Sequence, residues 1–219
     1  GAASVAGNTY SWSPATGLSS STISNPTVTS STAGSTTYTL TVTSGACSAT
    51  DQVVVTVNPL PTVSAGTYAA VCVNGSSVTL SGSPAGGTFS GSGVTGNTFN
   101  PATAGVGTKT ITYTYTNANG CTNAATTNIV VNNITSVSAG TYAAVCVNGS
   151  SVTLSGSPSG GTFSGSGVTG NSFNPAAAGV GTKTITYTYT NANGCTSSAT
   201  TTILVNALPV VNAGTYSQV

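Results

Sequence analysis

Apolar residues alternate with threonine in several segments of the chain. Residues 110–116 read TITYTYT, so one isoleucine and two tyrosines alternate with threonine, which is typical of an antiparallel strand with one buried face. The same strand recurs at residues 184–190, and a weaker version occupies residues 38–42. Each is followed by a turn rich in Asn, Gly or Ser, a cysteine, and a second strand that ends in alternating apolar residues. The pattern therefore predicts a β-hairpin at each of these places.

Shorter strands are predicted ahead of the hairpins. Residues 78–80 (VTL) and 87–89 (GTF) read as strands separated by the turn-forming SGSPAGG, and SGSGVTGN forms a second turn-rich connection. Short strands at close spacing with glycine turns favour a sandwich of two antiparallel sheets. We therefore expect an all-β fold, because no segment has a helical pattern.

The chain also contains an internal repeat. The run VSAGTYAAVCVNGSSVTLSGSP begins at Val63 and returns verbatim at Val137, 74 residues later. Seven positions differ between residues 63–131 and 137–205, all by small or conservative replacements, and a third copy begins at Val211. Such a period indicates tandem structural units.

The repeat sets the predicted domain bounds. We expect a partial domain at residues 1–60, complete repeats at 61–134 and 135–208, and the start of a third repeat at 209–219, so that the fragment begins and ends inside a domain. The junctions NPLPTV, NNITSV and NALPVV are short and are not flexible Gly/Ser linkers. The domains are therefore predicted to lie end to end as a rod.

Composition narrows the function. The chain has no histidine, and its charged residues are Asp51, Lys109 and Lys183. Charged residues thus make up 1% of the sequence, whereas they make up about 25% of ordinary soluble domains. The chain lacks the charged and titratable side chains that nucleic-acid binding, a membrane-surface helix, a metal or cofactor site and acid–base catalysis require. We therefore predict that it is not an enzyme and binds no cofactor. Trp12 is a candidate sugar-stacking residue, although packing in a small β-domain is the commoner use of a single tryptophan.

Five cysteines without histidine or a CxxC pair favour disulfides, and hence an oxidising compartment outside the cytoplasm. We expect two bonds within the repeats, Cys72 with Cys121 and Cys146 with Cys195. Cys47 is then left unpaired in the fragment, with a partner upstream. The alternatives for Cys47 are a free reactive thiol and an intermolecular bridge.

Two stretches carry a family resemblance. The segment containing SWSPATGL, at the start of the chain, resembles the PKD-like repeats of Bacteroidota cell-surface proteins. The repeat containing FNPATAGVGT resembles the immunoglobulin-like repeats beside them in very long proteins exported by the type IX secretion system, including gliding-motility adhesins. The resemblance implies tandem immunoglobulin-like and PKD-like β-sandwich domains, export across the outer membrane and tethering at the cell surface.

These observations lead to three hypotheses. The first is a structural or adhesive repeat region of an extracellular surface protein, which acts as a rod-like stalk or spacer whose partners are the other domains of its own chain. The second is a subunit of a self-assembling filament or sheath, because a net charge near zero removes repulsion between like chains. The third is a glycan- or ice-binding module that uses Trp12 or the threonine ladders.

Overall fold

The computed structural model describes residues 3–214. Residues 215–219 of the predicted third repeat, 209–219, lie outside the described range. The first segment of the chain contains three strands: β1 (Asn8–Ser13), β2 (Gly34–Ser44) and β3 (Cys47–Val57). They form one antiparallel sheet in the order β1-β2-β3.

The first copy of the repeat, which starts at Val63, contains seven strands and one short helix. They are β4 (Val71–Cys72), β5 (Val78–Thr79), β6 (Thr88–Ser90), β7 (Val94–Thr95), β8 (Thr98–Phe99), α1 (Pro101–Ala104), β9 (Gly107–Thr116) and β10 (Thr122–Asn132). Two sheets result, in the orders β4-β10-β9-β6 and β5-β8-β7.

The second copy, which starts at Val137, repeats this set of elements. They are β11 (Val145–Cys146), β12 (Val152–Thr153), β13 (Thr162–Ser164), β14 (Val168–Thr169), β15 (Ser172–Phe173), α2 (Pro175–Ala178), β16 (Gly181–Thr190) and β17 (Thr196–Asn206). The sheet orders are β11-β17-β16-β13 and β12-β15-β14. The all-β fold predicted from the alternating pattern is thus confirmed.

The core of the second copy lies between its two sheets. Phe173 on β15 and Ile185 on β16 are fully buried, and Tyr187 is 2% exposed. The core cluster combines side chains from both sheets with Leu154, directly after β12, and Ala178 of α2. Its members are Leu154, Phe173, Ala178, Ile185, Ile203 and Val205. The alternation of apolar and threonine residues on β16 therefore has the predicted result, because its inward positions form the centre of a β-sandwich.

The short helices were not predicted from the sequence. In α2 the side chain of Asn174 accepts hydrogen bonds from the backbone N–H groups of Ala176 and Ala177, at 2.9 and 3.3 Å. Pro175 occupies the first helical position, where its missing N–H costs nothing. A cap and a proline in the string FNPAAAG thus start one helical turn without any helical periodicity.

Contacts divide the described chain into two compact units. One consists of the chain up to Gly66 with Ser81–Phe89 and Thr112–Thr126, and the other of Thr67–Leu80, Ser90–Ile111 and the chain from Thr127 onward. The end-to-end arrangement and the domain bounds given above stay predictions. No helix in residues 3–214 has both the length and the apolar character needed to cross a bilayer.

Candidate functional site: the cysteine pair that joins the two copies

Cys72 lies beside the end of the last strand of its own copy. Strand β4 pairs in parallel with β10, so that Val71 faces Val131 and Cys72 faces Asn132. The backbone N–H of Val73 donates to the Asn132 carbonyl at 2.9 Å. The opening cysteine of the copy is therefore fixed at the C-terminal end of β10.

Cys195 lies in the hairpin turn between β16 and β17. The side-chain oxygen of Asn191 accepts from the N–H groups of Asn193 and Cys195, both at 3.0 Å, and the Asn191 N–H donates to the Cys195 carbonyl at 3.0 Å. An Asx turn of this kind lets the Asn side chain replace a missing backbone partner. The turn thus holds the cysteine in one conformation at the start of β17.

The hairpin turn rests on the segment that follows β10. The side-chain amide of Asn191 donates to the Asn133 carbonyl at 2.9 Å, and the hydroxyl of Ser197 donates to the Thr135 carbonyl at 2.6 Å. Because Asn132 lies beside Cys72 and Asn133 lies under the hairpin, these bonds bring the two cysteines to the same place.

Cys72 and Cys195 form a disulfide with a Cα–Cα distance of 5.5 Å and a sequence separation of 123 residues. The side-chain amide of Asn74 donates to the Thr196 carbonyl at 3.0 Å beside it. Cys195 is fully buried. The bond therefore links the first copy covalently to the second.

This pairing corrects the bonds expected from the sequence. In the second copy Cys146 faces Asn206 at the C-terminal end of β17, whereas Cys195 precedes Thr196 at its other end. An extended strand rises about 3.3 Å per residue, so its eleven residues hold these two cysteines roughly 35 Å apart. A disulfide needs Cα atoms within about 7 Å. The predicted pairs Cys146–Cys195 and Cys72–Cys121 are therefore wrong.

Three cysteines of the described chain are free thiols. Cys47 and Cys146 are exposed, and Cys121 is half-buried. An upstream partner for Cys47 stays a prediction. The parallel register of β4 on β10, which decides the pairing, has no signal in the composition of the two-residue strand VC.

Trp12 is a structural member of the first sheet. It lies half-buried on β1, and its indole N–H donates to the Ile23 carbonyl at 2.9 Å. Its ring lines a small cavity of about 130 Å³ with Leu18, Pro26 and Tyr38. This arrangement favours packing, and ligand contact by Trp12 stays a prediction.

Asp51 is the one acidic residue of the sequence. Asp51 is exposed on β3, and its carboxylate accepts from the Gln52 N–H at 2.8 Å. Nowhere in residues 3–214 do three His, Cys, Asp or Glu side chains group as metal ligands.

No family model and no curated protein matches this sequence. Mouse protocadherin-24 EC1-3 aligns over 94% of this chain and 92% of its own, with 12% identity and a TM-score of 0.34. Domains 3–5 of Drosophila OTK cover 91% and 85%, with 11% identity and a TM-score of 0.28. An endo-fucoidan hydrolase covers 94% and 39%, with 14% identity and a TM-score of 0.27. Likenesses this weak establish neither family nor activity.

Proposed function

We propose that this chain is a structural region of a long extracellular surface protein and serves as a stalk or spacer. The observation that carries the proposal is the Cys72–Cys195 disulfide, which joins one copy of a repeat to the next. Bonds of this kind persist in oxidising compartments and are rare in the cytoplasm. The resemblance to repeats of Bacteroidota proteins exported by type IX secretion supports the bacterial cell surface as that compartment.

The surface of the strands suits a spacer. Hydroxyl groups on neighbouring strands pair with each other, as in Thr116 with Thr122 at 2.7 Å and Thr190 with Thr196 at 2.9 Å. With three charged side chains in the whole sequence, salt and pH have few groups on which to act. The partners that this function implies are the other domains of the same polypeptide, with an adhesive part elsewhere in the protein.

Small-angle X-ray scattering on the purified oxidised chain tests the proposal. A stalk predicts a monomer whose radius of gyration is well above the ~17 Å of a compact 219-residue globule. A value near that of the globule would contradict a stalk. Reversible growth of the scattering mass with concentration would favour the filament or sheath instead.

A glycan array tests the binding alternative. The spacer proposal predicts that no glycan on the array binds reproducibly. A hit that Trp12→Ala abolishes, with Trp12→Phe as the matched aromatic control, would replace the spacer with a binding module.

A further inference from the structure

We propose that Cys72–Cys195 is one member of a staggered disulfide series, in which the opening cysteine of each copy bonds to the hairpin cysteine of the following copy in the same polypeptide. The opening cysteines are Cys72 and Cys146, and the hairpin cysteines are Cys121 and Cys195. Cys146 is then a site for a hairpin cysteine 123 residues further along the chain, and Cys121 is a site for an opening cysteine 123 residues earlier. The pairing does not depend on the stalk function.

Cys146 has the same local frame as Cys72. It faces Asn206 in the same parallel register in which Cys72 faces Asn132. The N–H of Val147 donates to the Asn206 carbonyl at 2.9 Å, and the N–H of Gly149 donates to the Cys146 carbonyl at 2.9 Å, as Val73 and Gly75 do in the first copy. The backbone around Cys146 thus makes the same hydrogen bonds as the backbone around the bonded Cys72.

Cys121 has the same local frame as Cys195. The side-chain oxygen of Asn117 accepts from the N–H groups of Asn119 and Cys121, both at 3.0 Å. The Asn117 amide donates to the Pro59 carbonyl at 3.3 Å, and the Asn123 amide donates to the Pro61 carbonyl at 2.9 Å. The first hairpin therefore rests on the segment before its own copy, as the second hairpin does.

The exposed asparagine two residues after the opening cysteine differs in its contacts between the two copies. Asn74 bonds across to Thr196 beside the disulfide. Its counterpart Asn148 makes no side-chain hydrogen bond within the described part of the chain. In the second copy, the Cys146 thiol and the Asn148 amide therefore both lack the partners that Cys72 and Asn74 have in the hairpin of the following copy.

The geometry favours a following copy over a second chain. The segment Asn133–Thr135 continues directly from β10, which holds Cys72, and the same segment holds Asn191 and Ser197 of the next hairpin. A hairpin from another molecule would arrive on its own preceding segment, as the hairpin of Cys121 lies on Pro59 and Pro61. Two such segments would compete for the same place.

The bond forms by thiol–disulfide exchange with a disulfide oxidant. One cysteine thiolate attacks the oxidant and forms a mixed disulfide, and the second thiolate displaces the oxidant's remaining thiolate. The two protein thiols lose two electrons and two protons, and the oxidant is reduced to two thiols. Oxidised glutathione supplies this reaction in a test.

The test extends the chain by one complete copy. Val219 corresponds to Val145 in the repeat, so the full chain is continued from Val219 by a second set of residues 146–210 and oxidised with glutathione. The bonds are then mapped by non-reducing digestion and mass spectrometry. We expect Cys146 to be labelled by iodoacetamide in the 219-residue chain, and to be unlabelled and bonded to the hairpin cysteine of the added copy in the extended chain.

The matched control carries serine at that added hairpin cysteine, and in it Cys146 should be labelled again. The proposal is overturned if Cys146 bonds to Cys195, to another molecule or to the added opening cysteine, or if it still reacts in the extended chain.

A second variant tests the register without any extension. In Cys195→Ser the series leaves Cys72 without a partner, so Cys72 should be a free thiol while circular dichroism still shows β structure. A Cys72–Cys121 bond in this variant would contradict the series, whether or not the β signal is retained.

Discussion

The Cα atoms of Cys72 and Cys195 lie 5.5 Å apart, although the two cysteines belong to different copies of the repeat and are 123 positions apart in the sequence. Their contact is set by two strand ends rather than by distance along the chain. A cross-link over so long a loop removes much of the entropy of the unfolded chain, which corresponds to about 5 kcal/mol in the chain-entropy model.

Replacing one partner of this bond should destabilise the protein strongly. Cys195→Ser is expected to lower the free energy of unfolding by a few kcal/mol and at most about 5, measured by urea titration under oxidising conditions. Cys146→Ser is the matched control, because Cys146 has the frame of Cys72 but is unbonded, and it should change the free energy little. Equal effects of the two variants would contradict the observed pairing.

The bond should also limit how far the chain can be stretched. The residues between Cys72 and Cys195 bear no load while the disulfide is intact, so reduction should add roughly 400 Å of contour length when the folded chain is pulled from its ends. Single-molecule force spectroscopy with and without a reducing agent measures this length. A gain of about 170 Å would instead indicate a bond within one copy, where the two cysteines are 49 positions apart in the sequence.

The hydroxyl of Tyr187 should contribute more to the free energy of unfolding than the hydroxyl of the neighbouring Tyr189. It donates to the Pro158 carbonyl and accepts from the Gly161 N–H at 2.7 Å. Tyr187→Phe leaves both groups unpaired in a partly buried place and should cost about 1–3 kcal/mol. Tyr189→Phe, two residues along β16, is the control, because the Tyr189 hydroxyl makes no hydrogen bond within residues 3–214. Similar thermal midpoints for the two variants would contradict this role.

The cap of α2 should respond to the type of side chain. Asn174→Ala removes the acceptor of two N–H groups and should cost about 0.5–2 kcal/mol in chemical denaturation. Asn174→Ser retains an acceptor and should recover most of that loss. Absence of recovery would show that Asn174 acts through packing rather than through the cap.

Gly161 should not accept a side chain. A Cβ there would lie 2.5 Å from Cζ of Tyr187 and would also contact the Thr188 carbonyl oxygen. Gly161→Ala should therefore lower the melting temperature by several degrees, because each kcal/mol lost from the free energy of unfolding shifts it by about 2–4 °C. Ser159→Ala is the control, because the first copy has Ala85 at the same position. A silent Gly161→Ala would show that both the Tyr187 ring and the backbone at Thr188 can move aside.

The long hairpin strands of the fold were predictable because their signal is local, whereas β7 (Val94–Thr95) lies inside SGSGVTGN, which was predicted as a turn-rich connection. Ile185 and Tyr187 alternate with threonine along β16, and this period of two alone identifies the buried face. The repeat then gave the same strands in both copies. The turn at Asn191 was likewise foreseen from its Asn and Gly residues.

The pairing of the cysteines was not predictable, because it depends on which end of β17 the short strand β11 pairs with, and composition does not encode that contact. Two residues, Val145 and Cys146, pair with the end of β17 rather than with its start, and that choice moves the cysteine roughly 35 Å along the strand. Pairing the cysteines by proximity in the sequence therefore failed. The α2 turn was missed for a related reason, because one capped turn is too short to show a helical period.

The parallel pairing of β11 with β17 has a mechanical consequence. The chain enters the second copy along β11 and leaves it along β17, and Val145 faces Val205 where these neighbouring strands run in the same direction. Once the Cys72–Cys195 disulfide is reduced, tension on the two ends of the copy pulls these strands past each other lengthwise, and their hydrogen bonds are sheared together instead of being broken one at a time. The reduced copy therefore resists extension along the direction of these two strands.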